Sequence, residues 1–422
     1  MFENEIMKPG ERLKKIRELY NITQYEITNK ICSRTNLSKI ENGNQKLSLK
    51  LANLFTNRFN EIIEKKGVYI KSITADFLIK DENEQANDIF VNILRKLEEN
   101  ETIDLDKKLT EAEDLIKNYE IADDNKIRLY EFMTDIYYNQ YKYIKSNEMC
   151  NKGIKICVDS NKVREEVNLY IYKSMNSVKT IRYSEALKEL DYAELLNQST
   201  HNSEYELIMY QRGLIYKKMC QYDKALEYFK VLIEKPAKDK KILIKAKMVY
   251  ANCLLDQCIK FEEAQKEYFE ILDLADGDKD FTALAYKNLA ELYYNHKKYK
   301  EAGIYILSAQ IDNNEYLNEI LYFAAKVFQK LNQDFEGYLL KALKTCEQKD
   351  RENIGLIKNI IDELVLLYIK RNDEESLMLI ADKAMELNID YCLSFLRISE
   401  HFRGRNEKKS IEFINKLIDK LS

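Results

Sequence analysis

The feature that most constrains the fold is a repeated four-residue motif in which alanine follows an aromatic residue by three positions. The strong copies, spaced 39, 39 and 38 residues apart, are YSEA at Tyr183, YDKA at Tyr222, FEEA at Phe261 and YKEA at Tyr299. Weaker copies lie at Tyr143, at Phe335 and near Asp373. Self-similarity at a fixed period predicts stacked helical units, because one unit cannot bury its apolar face alone.

Two further columns share the register of the four strong aromatic residues, which we call the anchors. Seven positions after each anchor lies an apolar residue: Leu190, Phe229, Tyr268 and Ile306. Nine positions before each anchor lies a residue that is mostly small: Ser174, Gly213, Asn252 and Ala290. Small residues let paired helices approach closely and aromatic residues fill the space between neighbouring units. The pattern therefore predicts a two-helix repeat.

This layout resembles the tetratricopeptide repeat, lengthened from 34 to about 38 residues. The resemblance extends over residues 80–422, where roughly eight or nine helical pairs fit. It implies a right-handed superhelix whose concave inner face holds an extended peptide or a helix. The first helix of each pair then faces inward.

Composition agrees with a mostly helical chain, since 422 residues include only 2 Pro and 10 Gly. Charged residues make up 33% of the sequence and are mixed in sign, as on solvated helix faces. No stretch is apolar enough for a membrane span, and the first residues lack the apolar core of a signal peptide. We therefore expect a cytoplasmic protein with no membrane partner.

Motifs for catalysis or metal binding are missing from the sequence. The eight cysteines are scattered without a CxxC pair, and the three histidines have no HExxH spacing. No GxxxxGK[ST], GxGxxG or GxSxG segment occurs. Scattered cysteines in a reducing compartment are most simply small core residues. The sequence thus predicts no enzyme activity, no cofactor and no metal site.

The first 66 residues predict a compact head of four helices. A 3.6-residue apolar period indicates a first helix over about residues 10–20. Thr23 and Glu26 form a capping box for a second helix, which runs to about Ile31. Ser33 caps a third helix that buries Leu37 and Ile40 and stops at Asn42-Gly43. A fourth helix runs from Ser48 to about Phe59 and packs Leu51, Leu54 and Phe55 inward.

Two short helices joined by a tight turn, the second polar outside, predict a helix-turn-helix. The third helix fits a major groove, where asparagine pairs well with adenine and arginine with guanine. The head also carries 13 Lys and Arg against 8 Asp and Glu, while the remaining chain carries 54 against 63. The candidate DNA-binding residues are Gln24, Ser33, Arg34, Thr35, Asn36, Ser38, Lys39, Asn44 and Lys46.

The head resembles the helix-turn-helix of Cro/repressor type, the XRE class, over about 50 residues. The matching positions are Leu13, Arg17, Thr23, Gln24, Glu26, Ile27, Ser33, Leu37, Ser38, Ile40, Glu41 and Gly43. The resemblance implies that Arg17 and Glu41 form a structural pair between the first and third helices. We predict a DNA-binding domain at 1–66, a linker at 67–80 and a tetratricopeptide sensor and dimerisation domain at 81–422.

A helix-turn-helix followed by such repeats resembles the RRNPP family of bacterial regulators, close to its PlcR- and NprR-like members. The match rests on ICSRTNLSKIENG, with its short Cys-Ser turn, and on the repeat length. The resemblance implies a homodimer that binds an operator in double-stranded DNA and a short signalling peptide. The predicted peptide-binding residues are Lys179, Gln211, Lys218, Tyr250, Asn252, Gln257, Asn288, Tyr294 and Asn295.

Two alternatives stay open at this stage. The repeats could sequester or inhibit a protein partner while the head only localises the molecule. Some relatives instead regulate phosphorelay proteins without DNA, although the intact head argues against that reading. The peptide, the operator, the direction of regulation and the dimer surface are not determined by the sequence.

Overall fold

The structure is a computed structural model that describes residues 5–68, 72–99, 104–198, 203–235, 239–256, 261–310, 314–349, 353–387 and 392–421. These residues form helices and turns and contain no strand, so the predicted all-α fold class is confirmed. The chain divides into two compact units, Met1–Gln198 and Ser199–Ser422. Gln257 and Cys258 lie outside the described residues.

The first unit contains eleven helices in its described part: α1 (Pro9–Leu19), α2 (Gln24–Thr28), α3 (Arg34–Glu41), α4 (Leu49–Lys65), α5 (Ala75–Ile79), α6 (Glu82–Glu98), α7 (Leu105–Asn118), α8 (Asp123–Asn139), α9 (Tyr143–Ser160), α10 (Val163–Lys179) and α11 (Tyr183–Leu196). The described part of the second unit contains twelve: α12 (Ser203–Lys218), α13 (Tyr222–Glu234), α14 (Lys240–Asp256), α15 (Phe261–Ala275), α16 (Lys279–Asn295), α17 (Tyr299–Ser308), α18 (Leu317–Lys330), α19 (Glu336–Lys349), α20 (Ile354–Arg371), α21 (Glu374–Glu386), α22 (Cys392–Phe402) and α23 (Glu407–Leu421).

Local caps start the helices of the head where the sequence predicts them. Thr23 and Glu26 form a complete capping box before α2. The Ser33 hydroxyl accepts the Asn36 backbone N–H before α3, and Ser48 caps α4 in the same way. Each cap satisfies a backbone donor that has no partner within its helix. Gly43 follows α3 with φ of 75°, a left-handed conformation that suits glycine.

Three details of the head differ from the prediction. Helix α2 ends at Thr28 rather than near Ile31, because Lys30 adopts a left-handed conformation. Helix α4 continues to Lys65, beyond Phe59, and buries Ile62 and Ile63. Leu54 is exposed instead of packed, because the buried side of α4 is formed by Ala52, Phe55 and Phe59.

The segment predicted as a linker contains the short helix α5, which packs on the head. Ile73 and Leu78 are buried in the same apolar cluster as the residues of α1 to α4. The buried Arg12 guanidinium donates to the backbone carbonyls of Phe77, Met7 (3.1 Å) and Lys80 (2.8 Å). Burial lowers the pKa of Arg12 to about 10. These contacts fix α5 to α1, so the head contains five packed helices.

The remaining helices form nine consecutive pairs in the described part of the chain, from α6–α7 to α22–α23. We call the first helix of each pair A and the second B. All four anchors are the first residues of B helices, as the register predicts. The alanines three positions later are fully buried: Ala186, Ala225, Ala264 and Ala302. The apolar residues seven positions later are also fully buried: Leu190, Phe229, Tyr268 and Ile306.

Close packing within a pair explains the small-residue column nine positions before each anchor. A Cβ atom on Gly213 of α12 would lie 2.6 Å from the Phe229 ring of α13. Ser174 and Ala290 are fully buried at the equivalent position of their A helices. The two-helix repeat is therefore confirmed within each unit, whereas the right-handed winding of the whole array stays a prediction.

The turn between A and B helices places a non-glycine residue in the left-handed region two positions before the anchor. Ile181, Cys220 and Lys297 have φ of 62°, 58° and 59° there, and Tyr141 has 59° before the weaker copy at Tyr143. Cys220 is exposed in this turn, unlike the buried Cys150, Cys157, Cys253 and Cys346. The prediction of core cysteines thus fails at Cys220, because a turn residue with left-handed φ points outward.

Candidate functional sites

Helix α3 divides into a buried side and an exposed side. Leu37, Ile40 and Glu41 are buried against the head, at the i, i+3 and i+4 spacing of one helix face. Arg34, Thr35 and Lys39 are exposed on the other side, and Asn36 and Ser38 are half-buried. The outer side thus presents two cations with hydroxyl and amide groups, the side chains that read base edges and phosphates.

A charged network holds α3 against α1 and α2. Arg17 Nε donates to Glu41 Oε1 (2.7 Å) and Arg17 Nη2 to Glu41 Oε2 (3.2 Å). The predicted structural role of this pair is confirmed. Gln24 Nε2 donates to Glu41 Oε2 at 2.8 Å, so this candidate phosphate ligand already has a partner inside the head. The backbone N–H groups at the start of α2 are distinct from this side-chain amide.

An aromatic residue that the sequence analysis did not single out lies beside the exposed side of α3. Tyr25 is 65% exposed, and the Arg34 guanidinium carbon lies 4.9 Å from the centroid of its ring. The cation–π contact restricts the Arg34 side chain without removing its donors from solvent. A tyrosine in the helix that precedes a candidate groove helix is the sequence signal that could have identified it.

The other candidate DNA-binding residues differ in their hydrogen bonds and in their exposure. The Ser33 hydroxyl is engaged as the cap of α3, and Ser38 Oγ accepts from the Asn42 amide at 3.4 Å. Asn44 and Lys46 are exposed in the turn that follows α3. These side chains and those on the outer side of α3 are accessible in the same head. The structure therefore brings most of the candidate DNA-binding residues together.

The predicted peptide-binding residues divide between accessible and buried positions. Lys179, Lys218 and Asn295 are exposed at the C-terminal ends of A helices, and Tyr294 is half-buried. Asn288 is only 3% exposed and its amide contacts Met248 Sδ at 3.0 Å. Gln211 is also buried.

The two remaining described candidates are engaged within their own helix pair. Tyr250 donates to Glu263 Oε1 at 2.9 Å, and Asn252 accepts the hydroxyl of Tyr268. These contacts join α14 to α15. In α14, both side chains therefore have hydrogen-bond partners within the protein.

A recurring aromatic arrangement joins neighbouring repeats, and we call each copy an aromatic triad. In the second unit the ring centroid of Tyr294 lies 5.3 Å from Tyr299 and 5.5 Å from Phe323, both edge-to-face. In the first unit Tyr138 lies 5.7 Å from Tyr143 and 6.4 Å from Tyr172, with the same orientation. In both triads the first ring is five positions before the second.

A lysine accompanies each aromatic triad. Lys179 Nζ lies 5.8 Å from the Tyr138 ring centroid, and Lys287 Nζ lies 5.9 Å from that of Phe323. The triad rings are half-buried. Each triad therefore presents ring faces beside an ammonium group. Lys287 Nζ also bonds Glu291 Oε2 of its own helix at 2.8 Å.

Acidic residues border the triad of the second unit. Burial, together with the carboxylates of Glu363 and Asp362, raises the pKa of Tyr322 to about 12. Burial also raises the pKa of Tyr294, with Tyr299 and Glu363 adding to the effect. Both hydroxyls therefore stay protonated near neutral pH and can donate hydrogen bonds to a ligand.

Within the described residues, no group of three or more His, Cys, Asp or Glu side chains could hold a metal ion. No helix in that part of the chain combines the length and apolar character that crossing a membrane requires.

The comparisons with known proteins give solved structures only. No protein-family model matches the chain, and no curated protein matches it. The apo form of the quorum sensor NprR from B. thuringiensis is 17% identical, with 80% of this chain and 98% of that chain covered and a TM-score of 0.47. NprR in complex with its cognate peptide NprX is 16% identical, with coverage of 81% and 99% and a TM-score of 0.45.

A Rap protein complexed with competence and sporulation factor is similar at the same level. It is 15% identical, with 79% of this chain and 96% of that chain covered and a TM-score of 0.47. Likenesses of this size do not establish a family. The helical-repeat fold follows from the helix pairs of the chain itself.

Proposed function

We propose that this protein is a sequence-specific DNA-binding transcriptional regulator that acts as a homodimer. Its repeats bind a short signalling peptide and thereby control DNA binding by that homodimer. The observation that carries the DNA-binding part is the division of α3. Its inner side is fixed by Leu37, Ile40 and the Arg17–Glu41 pair, while Arg34, Thr35 and Lys39 are free to reach outward. A rigid helix with an exposed polar side suits a major groove.

In this proposal the residues have distinct tasks. Arg34 and Asn36 read base edges, Lys39 and Lys46 contact phosphates, and Tyr25 orients Arg34 by lying under its guanidinium. A dimer then places two such helices about 34 Å apart on a partly palindromic operator.

The test begins with selection of bound duplexes from a randomised DNA library, followed by retardation assays with the selected sequence. Arg34→Ala with Asn36→Ala should weaken binding of that duplex by at least about 30-fold, since two base contacts of about 1–3 kcal/mol each are lost. Lys155→Ala is the matched control, because it removes one exposed cation from α9. Unchanged binding of the double variant would show that α3 does not read the operator.

For the peptide, the aromatic triads and the exposed residues beside them support a binding surface on the A helices. Tyr294, Asn295 and Lys287 in α16 combine a ring, an amide and a cation near the second triad. Because Asn288 is buried in the same helix, we propose Asn295 rather than Asn288 as a direct ligand.

A pool of short random peptides, recovered on the immobilised protein and identified by mass spectrometry, supplies the ligand for calorimetry. Tyr294→Ala with Asn295→Ala should weaken its binding at least tenfold, while Lys300→Ala, an exposed change on α17, should not. A protein that selects no DNA but retains a protein partner from its host would instead support the alternative of a sequestering protein.

A further inference from the structure

The head and the first repeat have separate apolar cores. The buried apolar residues of α1 to α5 form one cluster, and those of α6 to α9 form a second. Among the described helices, those of the head pack extensively on one another and those of the repeats on one another. No such packing joins a head helix to a repeat helix. The position of the head on α6 therefore depends on other contacts.

Two backbone carbonyl groups each accept hydrogen bonds from both sides of this boundary. Met7 O accepts from Arg12 Nη2 of α1 at 3.1 Å and from Gln85 Nε2 of α6 at 2.7 Å. Lys80 O accepts from the same two donors, at 2.8 and 3.2 Å. Arg12 is 1% exposed and Gln85 is 9% exposed, so the bonds are shielded from water. We call these four residues the junction.

The side chain of Gln85 suits this position because an amide both donates and accepts. Gln85 Oε1 accepts the backbone N–H of Met7 at 3.2 Å, while Gln85 Nε2 donates to the carbonyl of the same residue. Neither leucine nor an ionised carboxylate offers a donor together with an acceptor. Gln85 is therefore the residue by which α6 holds the segment before α1.

The chain connects the head with the repeats at two places, and the junction ties them together. The first is the segment before α1, where Ile6 packs against the apolar cluster of α6 to α9. The second is the connection from α5 to α6, where only Lys80 and Asp81 separate the two helices. A head held by one short connection could rotate about it as about a hinge. Shared buried bonds between the two connections remove that freedom.

Exposed ion pairs close to the junction add little to its strength. Lys15 pairs with Glu5, and Lys80 pairs with Asp88. The side chains of both pairs are at least one-third exposed, so solvent and salt screen their attraction. The buried hydrogen bonds of the junction therefore carry most of the polar connection.

We infer that the junction fixes the orientation of the head on the first repeat, with Gln85 as the positioning residue on the repeat side. The inference rests on the DNA-binding homodimer of the proposed function and adds the contact through which the repeats control it. Two fixed heads in a dimer accept half-sites at one spacing, because neither head can turn to follow the DNA. A freed head should bind its own half-site as before and should tolerate other spacings.

The rotational freedom of the head can be measured in the full chain, which contains no tryptophan. Leu54→Trp introduces a single tryptophan at a 40% exposed position of α4. Apart from local side-chain motion, its fluorescence anisotropy decay should show only the slow tumbling of the whole molecule. Addition of Gln85→Leu should add a faster component from a rotating head. Gln329→Leu, the same exchange at an exposed residue of α18, should not.

Half-site spacing tests the consequence for DNA binding, with the duplex selected from the randomised library. Insertion of two base pairs between its half-sites turns them by about 70° relative to each other. The parent should lose at least about tenfold in affinity, whereas Gln85→Leu should lose less than about threefold. Both proteins should bind a duplex with a single half-site equally well. A misfolded head would lose that half-site too, so this measurement separates misfolding from rotation.

Gln85→Ala, which places a good helix former in α6, should behave like Gln85→Leu and guards against a defect of one variant. A parent that already shows the fast component would overturn the inference, as would variants whose heads tumble only with the repeats. Equal spacing penalties in parent and variants would overturn it as well. Loss of half-site binding in both variants would show that Gln85 maintains the fold of the head rather than its orientation, which also contradicts the inference.

Failure of the proposed function gives a different result. A parent that selects no DNA would refute the DNA-binding proposal, whereas the anisotropy decay uses no DNA. It would still decide whether the junction fixes the head on the first repeat.

Discussion

The guanidinium of Arg17 in α1 and the carboxylate of Glu41 in α3 form two hydrogen bonds across the core of the head, at 2.7 and 3.2 Å. Glu41 is almost fully buried, and its second oxygen also accepts from Gln24. The pair spans 24 residues of sequence and links the first helix to the helix that presents Arg34, Thr35 and Lys39. Its integrity therefore sets the orientation of the candidate DNA-reading side.

Replacing Arg17 by methionine should loosen α3. The change leaves the Glu41 carboxylate buried with only Gln24 to bond it, and breaking a buried pair in this way costs about 3 kcal/mol. Amide hydrogen exchange in α3 should accelerate about 100-fold, since each 1.4 kcal/mol is a factor of ten. Exchange rates in α20, in the other unit, serve as the internal control. Unaltered protection of α3 would contradict a structural role for the pair.

A methyl group added at Gly10 of α1 should also disturb α3, because it would meet the backbone of Ile40. An added Cβ would lie 1.9 Å from the backbone oxygen of Ile40, a contact that backbone atoms cannot relieve without moving α1 or α3. Gly10→Ala should therefore lower the melting temperature of the head and weaken DNA retardation. Gly355→Ala in α20, where nothing lies within 4 Å, should be neutral or slightly stabilising. Equal behaviour of the two variants would exclude the predicted clash.

The free energy of unfolding should fall as pH rises, because Glu131 of α8 loses a proton that the folded state holds. Burial and the neighbouring Glu165 raise the pKa of Glu131 from 4.5 to about 7, while Arg164 opposes the shift. The folded state therefore holds this proton more tightly than the unfolded state, and stability is lost as pH rises from about 4.5 through 7. Glu131→Gln should recover about 1 kcal/mol at pH 8, allowing for the partial exposure of the group.

Thermal unfolding at several pH values checks this expectation. The gap between Glu131→Gln and the parent should be small near pH 4.5 and should widen up to about pH 8. Glu148→Gln, which removes an exposed carboxylate from α9, is the control substitution. A gap that stays constant with pH would mean that Glu131 titrates normally.

Replacement of Ile181 by asparagine should stabilise the protein. Ile181 has φ of 62° in the turn before α11 and is 74% exposed, so it bears the strain of a β-branched residue in the left-handed region with little burial to lose. Asparagine tolerates this conformation, and the gain should be about 1 kcal/mol, or roughly 2–4 °C in melting temperature. Leu195→Asn, an exposed helical position, should give no gain. A lower melting temperature for Ile181→Asn would contradict the strain argument.

The sequence by itself determined where helices start and which residues each B helix buries. The capping side chains of Thr23, Ser33 and Ser48 act within three residues of their own backbone, so no distant contact is needed to place α2, α3 and α4. The anchors and the residues three and seven positions later repeat because every interior pair meets the same neighbour geometry. The period of the sequence therefore predicts which residues of each B helix are buried.

The sequence alone predicted the candidate sites less well than it predicted the helices. Asn288 and Asn295 lie seven positions apart on α16 and are chemically identical, yet one is buried against Met248 and the other is exposed. Tyr25 and the aromatic triads depend on rings from different helices. Offsets along one helix cannot show which ring of a neighbouring repeat comes into contact, as Phe323 does with Tyr294 at 5.5 Å.

Only the tertiary structure decided the role of the segment after α4. Helix α5 is too short to be stable alone, and it exists because Ile73 and Leu78 complete the core of the head and Arg12 bonds its carbonyls.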